Sequence, residues 1–353
     1  MTALRELYRA NNLPVFQNRM YDTEAEARSA PVGDVHLVED LTTGLVYNNA
    51  FRPELIVYDE HYQNEQAVSA HFRKHLEAVA EIVTRTLGTR SIVEVACGKG
   101  YFLEMLAERG FDITGFDPAY EGSNPAIEKR YFASDAGVAG DGLVLRHVLE
   151  HVKDPVAFLE RIRDANGGRG RIYIEVPCFE WICEHAAWFD IFYEHVNYFR
   201  PVDFERMFGV VHESGHLFGG QYQYVVADLA SLRTPRYDAG TAVRFPADLG
   251  VQKSRNVTDG SHSNGGIVWG GASKGVIFAL QCAREGLPVS AVIDINPAKQ
   301  GRYLPTTGLK VKSPDEVLPD LAPGATIYVM NSNYLDEIRA QAGAQFNYIG
   351  IDS

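Results

Sequence analysis

Runs of apolar residues broken by glycine predict two strand–turn–helix–strand units in this chain, one before its middle and one near its end. In the first, Ile92-Val93-Glu94-Val95-Ala96 is a short apolar run, Cys97-Gly98-Lys99-Gly100 breaks it, and Phe102, Met105 and Leu106 then recur at helical spacing. Gly110 reads as the cap that ends this helix, and Ile113 to Phe116 as a second buried strand closing at Asp117. Upstream, Phe72, Leu76, Val79, Ile82, Val83 and Leu87 share one helical face, so a helix over 70–87 should cover one side of the sheet. Downstream, Leu143 to Val148 reads as a strand, Asp154-Pro155 as a helix start, RIYIEVP as a further strand, and residues 219–229 as a hairpin that closes the sheet. The second unit, IVWGGASKGVIFALQCAREGLPVSAVIDINP, repeats the order with Gly270, Gly271 and Gly275 in its turn and Asp294 at the end of its second strand.

These elements divide the chain. Residues 1–69 hold short β-prone runs between turn residues and too few apolar positions to stand alone, which predicts a small β-rich lobe packed on its neighbour. The first glycine-turn unit belongs to a domain over 70–230. A polar, turn-rich stretch then opens a third domain over 231–353, α/β and Rossmann-like. A length of 353 residues suits two or three such cores. The net charge of -13 argues against a protein that tracks nucleic-acid phosphates. No apolar run reaches membrane-spanning length and the first residues lack a signal-peptide core, so a soluble cytoplasmic protein is expected, with neither membrane nor nucleic acid as partner. Four scattered cysteines fit a reducing compartment, and the spacing of Cys178 and Cys183 is a poor template for tetrahedral metal binding.

Two parallel strands joined through a glycine turn and a helix make a site for a nucleoside-bearing cofactor at the carboxyl ends of the strands. A dinucleotide turn would read G-x-G-x-x-G. Here the pattern is Glu94-x-Ala96-x-Gly98-x-Gly100, with an acidic residue inside the strand. It resembles the first motif of class I S-adenosylmethionine (SAM) methyltransferases, E/D-x-G-x-G-x-G, with Ala96 in place of one glycine. That resemblance implies an α/β fold with a doubly wound sheet. It also implies that Ala96, Gly98 and Gly100 border the methionine part of SAM and that Glu94 anchors the turn or the cofactor's amino group. Asp117, followed by Pro118, would accept hydrogen bonds from the ribose hydroxyls, and a third strand ending near Asp135 would lie beside the adenine. Arg146 and His147, at the end of a later strand, and Gln66, ahead of the domain, would be further cofactor contacts.

The segment CFEWICEHAAWFDIFYEHVNYFRPVDFERMF is densely aromatic and contains Tyr193-Glu194-His195. Such density most often marks core, but a His beside a Glu between tyrosines is also a proton-transfer constellation. With GLVYN, YDEHYQNEQ, LRHVLEHVKDP, IYIEVP, YEHVNYF, GGASKG and DINPAKQGRYLP, nearly the whole chain resembles the sugar C-methyltransferases, which methylate a carbon beside the ketone of a nucleotide-linked deoxyketosugar. The resemblance implies His195 as the base, Glu194 as its orienting partner, and Tyr58, Tyr62 and Tyr193 as groups that position the sugar or donate to the enolate oxygen. Asn197, Lys274 and Asn331 would be substrate contacts, Lys274 at a phosphate. The paired zinc cysteines usual in that family's N-terminal lobe are replaced here by Leu13, Phe16, Asp40 and Thr43, so no structural zinc is expected. O-methylation by the same His195, an NAD-dependent oxidoreductase built on the Gly270 turn, and a non-catalytic SAM-binding module are the competing readings. Oligomeric state is not legible.

Overall fold

The computed structural model describes residues 3–56, 62, 65–247, 249 and 266–352. The lobe at the front is built on β1 (Leu4–Pro14), β2 (Val32–Asp40) and β3 (Val46–Asn48), paired antiparallel. The first positions of β2 alternate exposed and buried, as a strand with one wet face must. Its sheet is completed from outside, because β9 (Asn197–Tyr198), inside the aromatic segment, pairs with β3. Leu13 and Phe16 are buried in one apolar cluster with Trp188, Phe189, Val276 and Phe278, so lobe, middle domain and last domain share a core. Asp40 accepts hydrogen bonds from the Thr42 amide (2.7 Å) and the Thr43 hydroxyl (3.1 Å).

In the middle domain β4 (Ile92–Val95) is buried at all four positions, as expected for a central parallel strand. Flanking it are β5 (Ile113–Phe116) and β7 (Gly142–Arg146), and outside them lie β6 (Ile127–Glu128), β8 (Arg171–Pro177), β10 (Val211–Leu217) and β11 (Tyr222–Asp228). The order is β10-β11-β8-β7-β4-β5-β6, parallel from β6 to β8 and closed by the antiparallel β10–β11 hairpin. The strand expected over 143–148 stops at Arg146, because His147 turns out of the sheet at φ 52°. The strand expected near Asp135 is instead the two-residue β6, and Asp135 lies on a turn beyond it. The helix over Ala70–Leu87 forms as its spacing predicts, with the Ser69 hydroxyl accepting from the Phe72 amide (3.2 Å) and Gly88 ending it at φ 82°.

The last domain is a parallel sheet ordered β14-β13-β12-β15-β16, from β12 (Gly266–Trp269), β13 (Val289–Ile293), β14 (Val311–Lys312), β15 (Thr326–Val329) and β16 (Asn347–Gly350). The stretch expected to open it runs back over the front lobe. The Tyr237 amide donates to Thr42 O (2.9 Å) and the Val243 amide to a Glu39 carboxylate oxygen (3.0 Å). Among the described residues no helix is long and apolar enough to cross a membrane.

Candidate active site

In both parallel sheets the chain leaves the centre in opposite directions from one strand, β4 in the first and β12 in the second, and a crevice opens at the carboxyl end of such a switch point. The two openings are one crevice, a cavity of about 420 Å³ whose third wall is the front lobe.

On the middle-domain side, Ala96 and Gly98 both stand at φ 57° and Gly100 at φ 82°. A Cβ on Gly100 would be strained at that φ and would lie 2.4 Å from Ile127 Cδ1, so glycine suits the turn there. The Gly98 amide donates to Asp117 Oδ2 (2.8 Å), and the other oxygen of Asp117 accepts from the Ala119 amide (2.8 Å). Glu94 faces the crevice with Oε2 buried and, among the described residues, without a partner. Burial pushes its pKa up to about 8, with Asp117 adding to the rise and Arg146 opposing it. Arg146 donates through Nε to Glu175 (2.8 Å) and stacks 4.6 Å over the Phe102 ring. Glu175 also accepts from the Tyr173 hydroxyl and pairs with His75 and His147. Against its burial, Arg146 and the two imidazoles hold its carboxyl well below the usual range. His147 spans Glu175 (3.2 Å) and Glu150 (3.4 Å). Burial disfavours its charge, but the two carboxylates prevail and raise its pKa to about 9. Gln66 lines the crevice and accepts from the Tyr334 hydroxyl (3.2 Å), while Pro118 lies exposed just beyond Asp117. These residues fit a nucleoside-bearing methyl donor: a glycine turn with left-handed backbone, an orphaned buried carboxyl oxygen, and a strand-end aspartate with acceptor capacity left. Asp135 does not join them, because its side chain is exposed and 3.8 Å from Arg130.

The last domain repeats the turn. The Gly271 amide donates to Asp294 Oδ2 (2.9 Å) and the Asn296 amide to Asp294 Oδ1 (2.8 Å), the same two bonds that Asp117 makes. Lys299 adds a third contact at 3.3 Å. Lys274, expected as a phosphate contact, begins the helix Lys274–Arg284. It is buried, with Nζ 3.2 Å from Asp190, donating to Gln221 (3.0 Å) and 4.9 Å over the Trp181 ring. Its charge is answered inside the protein, which argues against the phosphate role. Asn331 lines the crevice, clasped to the Gln221 amide.

The aromatic segment also reaches the crevice, through Asp190, Phe192 and His195. Tyr62 lines the crevice and its hydroxyl donates to Glu194 Oε2 (2.9 Å), while the Gln17 amide donates to Oε1 (3.1 Å). Burial raises the Glu194 pKa above the ordinary carboxylate value. The Glu194 carboxylate therefore faces Tyr62, and not the His195 ring as the sequence suggested. His195 is half-buried on the crevice wall, its ring 4.9 Å from those of His151 and Phe192. Desolvation, helped by His151, presses its pKa down to about 3. Two expected substrate groups are structural instead. Tyr193 is fully buried against Phe51, with its hydroxyl accepting from the Arg52 amide (2.9 Å), and Asn197 donates to Leu149 O (3.2 Å) and Val152 O (2.5 Å). Tyr58 lies outside the described residues. Asn18, Glu150, His151, Asp190, Gln221 and Tyr222 also line the crevice. Of these, Glu150 and His151 carried a signal, being titratable residues just past the end of a buried strand.

A family model described as Methyltransferase domain matches residues 62–210. No curated protein matches the chain. Among solved structures it is similar to a SAM dependent methyltransferase from Archaeoglobus fulgidus, at 19% identity over 45% of this chain and 100% of that one, with a TM-score of 0.34. It is also similar to the PH0226 protein of Pyrococcus horikoshii OT3, at 12% identity over 49% of this chain and 99% of that one, TM-score 0.38. A third is the N-methyltransferase NodS from Bradyrhizobium japonicum WM9, at 12% identity over 45% and 97%, TM-score 0.33. Residues 62–210 are a methyltransferase domain, with Glu94, the glycine turn and Asp117 set at the carboxyl end of its switch-point strand.

Proposed function

We propose that the enzyme moves the methyl group to the carbon beside the ketone of a nucleotide-linked sugar. The observation that carries this reading is the shared crevice. One glycine turn with its strand-end aspartate opens into it from each parallel sheet, and Tyr62 and His195 line it, Tyr62 bonded to Glu194. The first turn would hold the donor and the second the nucleotide of the acceptor, with Asp294 near its sugar hydroxyls.

SAM supplies an electrophilic methyl on sulfur; the acceptor carbon becomes a nucleophile only after losing a proton. Tyr62 is half-buried on the crevice wall and bonded to a buried carboxylate, so it offers the proton a path to Glu194. This moves the base from His195, where the sequence put it, to the Tyr62–Glu194 pair. His195 is then a neutral imidazole on the crevice wall, suited to meet the oxygen on which charge develops. The C–H pair becomes the C=C of an enolate and then the new C–CH3 bond, while sulfur keeps the electrons of the bond it loses.

The test is deuterium uptake at the carbon beside the ketone in heavy water, with a nucleotide-linked ketosugar and the demethylated cofactor, S-adenosylhomocysteine, present. Wild type should exchange, Glu194→Gln should exchange at least about 100-fold more slowly, and SAM binding by calorimetry should be retained. Methyl transfer without any exchange would place the methyl on oxygen and overturn the proposal.

A further inference from the structure

Among the described residues two groups of side chains that could hold a metal ion meet near the crevice, and they differ in how fully their carboxylate is used. In His75, His147 and Glu175 both carboxylate oxygens are engaged, by Arg146, Tyr173 and the two imidazoles, which makes that group a hydrogen-bonded network. In Glu150, His151 and His195 one ligating atom from each lies within 4.8 Å of the other two. Glu150 is 2% exposed and lines the crevice, yet its Oε2 has no partner among the described residues. A buried carboxylate oxygen left this way costs free energy unless something answers it. Its other oxygen is already placed, 3.4 Å from His147 Nδ1. Nδ1 of His151 faces the carbonyl of Glu194 at 3.0 Å, where it can only donate. That bond makes Nδ1 the donor and orients the ring, the way an outer carbonyl holds a metal-binding imidazole. The ring of His195 makes no hydrogen bond among the described residues.

We propose that Glu150, His151 and His195 bind one divalent first-row transition ion of the zinc type, leaving a coordination position open to the crevice. Two imidazole nitrogens and a carboxylate oxygen suit zinc or its neighbours and not magnesium or calcium, which prefer oxygen throughout. Three protein ligands with one open position is the pattern of a catalytic rather than a structural site. With the ion bound, the ketone oxygen would meet it in that position in place of the bare His195 ring, and the ion would hold the electrons that arrive when the neighbouring C–H is broken, with no change of oxidation state and the proton passing to Glu194. This role rests on the proposed reaction; binding of the ion does not.

The full-length protein, stripped with a chelator and dialysed, is titrated with zinc chloride by calorimetry and loaded with cobalt chloride for visible absorption. One equivalent of zinc should bind, and cobalt should give the ligand-field bands of a four- or five-coordinate imidazole site. Glu150→Gln and His195→Ala should weaken zinc binding by at least about 100-fold, beyond what loss of an outer contact costs, with unchanged far-ultraviolet circular dichroism. Zinc binding equal in wild type and both variants overturns the site. Should the variants fail to fold, the cobalt spectrum of wild type decides, and a hexaaqua-like spectrum overturns it. Unchanged methyl transfer by stripped protein overturns the catalytic role, whereas stoichiometric zinc on a protein that forms no carbon-methylated product leaves the site standing and removes the reading of the reaction.

Discussion

Glu94 shows how one buried carboxyl sets a pH dependence. Its folded-state pKa of about 8 lies above the unfolded value, so the folded protein holds the extra proton in between. Its contribution to stability is complete below the ordinary carboxylate range and is lost as pH rises through about 8. The melting temperature of wild type is expected to fall more steeply between pH 6 and pH 9 than that of Glu94→Gln, and parallel curves would remove the effect. Tyr193 makes the opposite kind of case, a residue that looked catalytic and is packed. Tyr193→Phe should lose about 1 kcal/mol in urea unfolding, because the Arg52 amide loses its acceptor, while kcat/KM stays within a factor of two to three. A large fall in kcat at unchanged stability would return Tyr193 to the active site.

At the scale of elements, the second glycine turn is as tightly built as the first. A Cβ on Gly275 would stand 1.8 Å from the carbonyl oxygen of Gly270, closer than any side-chain adjustment can relieve. Gly275→Ala should therefore cost at least about 2 kcal/mol in denaturant unfolding, at the upper end of overpacking penalties. It should weaken nucleotide binding by calorimetry and leave SAM affinity within a few-fold, and the reverse pattern would assign the donor to the wrong turn. Both turns and their helices were legible in sequence because strand, glycine and helical spacing are local signals read over a dozen residues. What the local pattern could not carry was which neighbour each side chain meets. Nothing in YEHVNYF says that Glu194 faces Tyr62, that Tyr193 turns into the lobe, or that His195 meets His151, since this stretch forms no long strand or helix to fix the parity of its side chains. For the same reason β9, only two residues long, gave no sign that it completes the front sheet.

Across the whole molecule, the front lobe is fastened by buried charge. Arg200 donates to both Asp203 oxygens and to Gly44 O, and lies 3.8 Å from Glu39. Glu39 also pairs with Arg5 and accepts from the Val243 amide. Three distant stretches thus close on one carboxylate. Glu39→Ala should cost about 2–3 kcal/mol, short of the full penalty for breaking a buried pair because Asp203 still answers Arg200, and limited proteolysis should open the lobe first. Equal protection of lobe and middle domain in the variant would show that the apolar cluster alone fastens them.

The borrowed strand bears on how this protein could be trimmed. A fragment starting after residue 50 would leave the edge of β9 without a neighbour and strip the cover from Trp188 and Phe189. Such a piece would be sticky: its bare rim and greasy flank would recruit further copies, so the lobe serves the enzyme as a solubilising lid as well as a wall of the crevice.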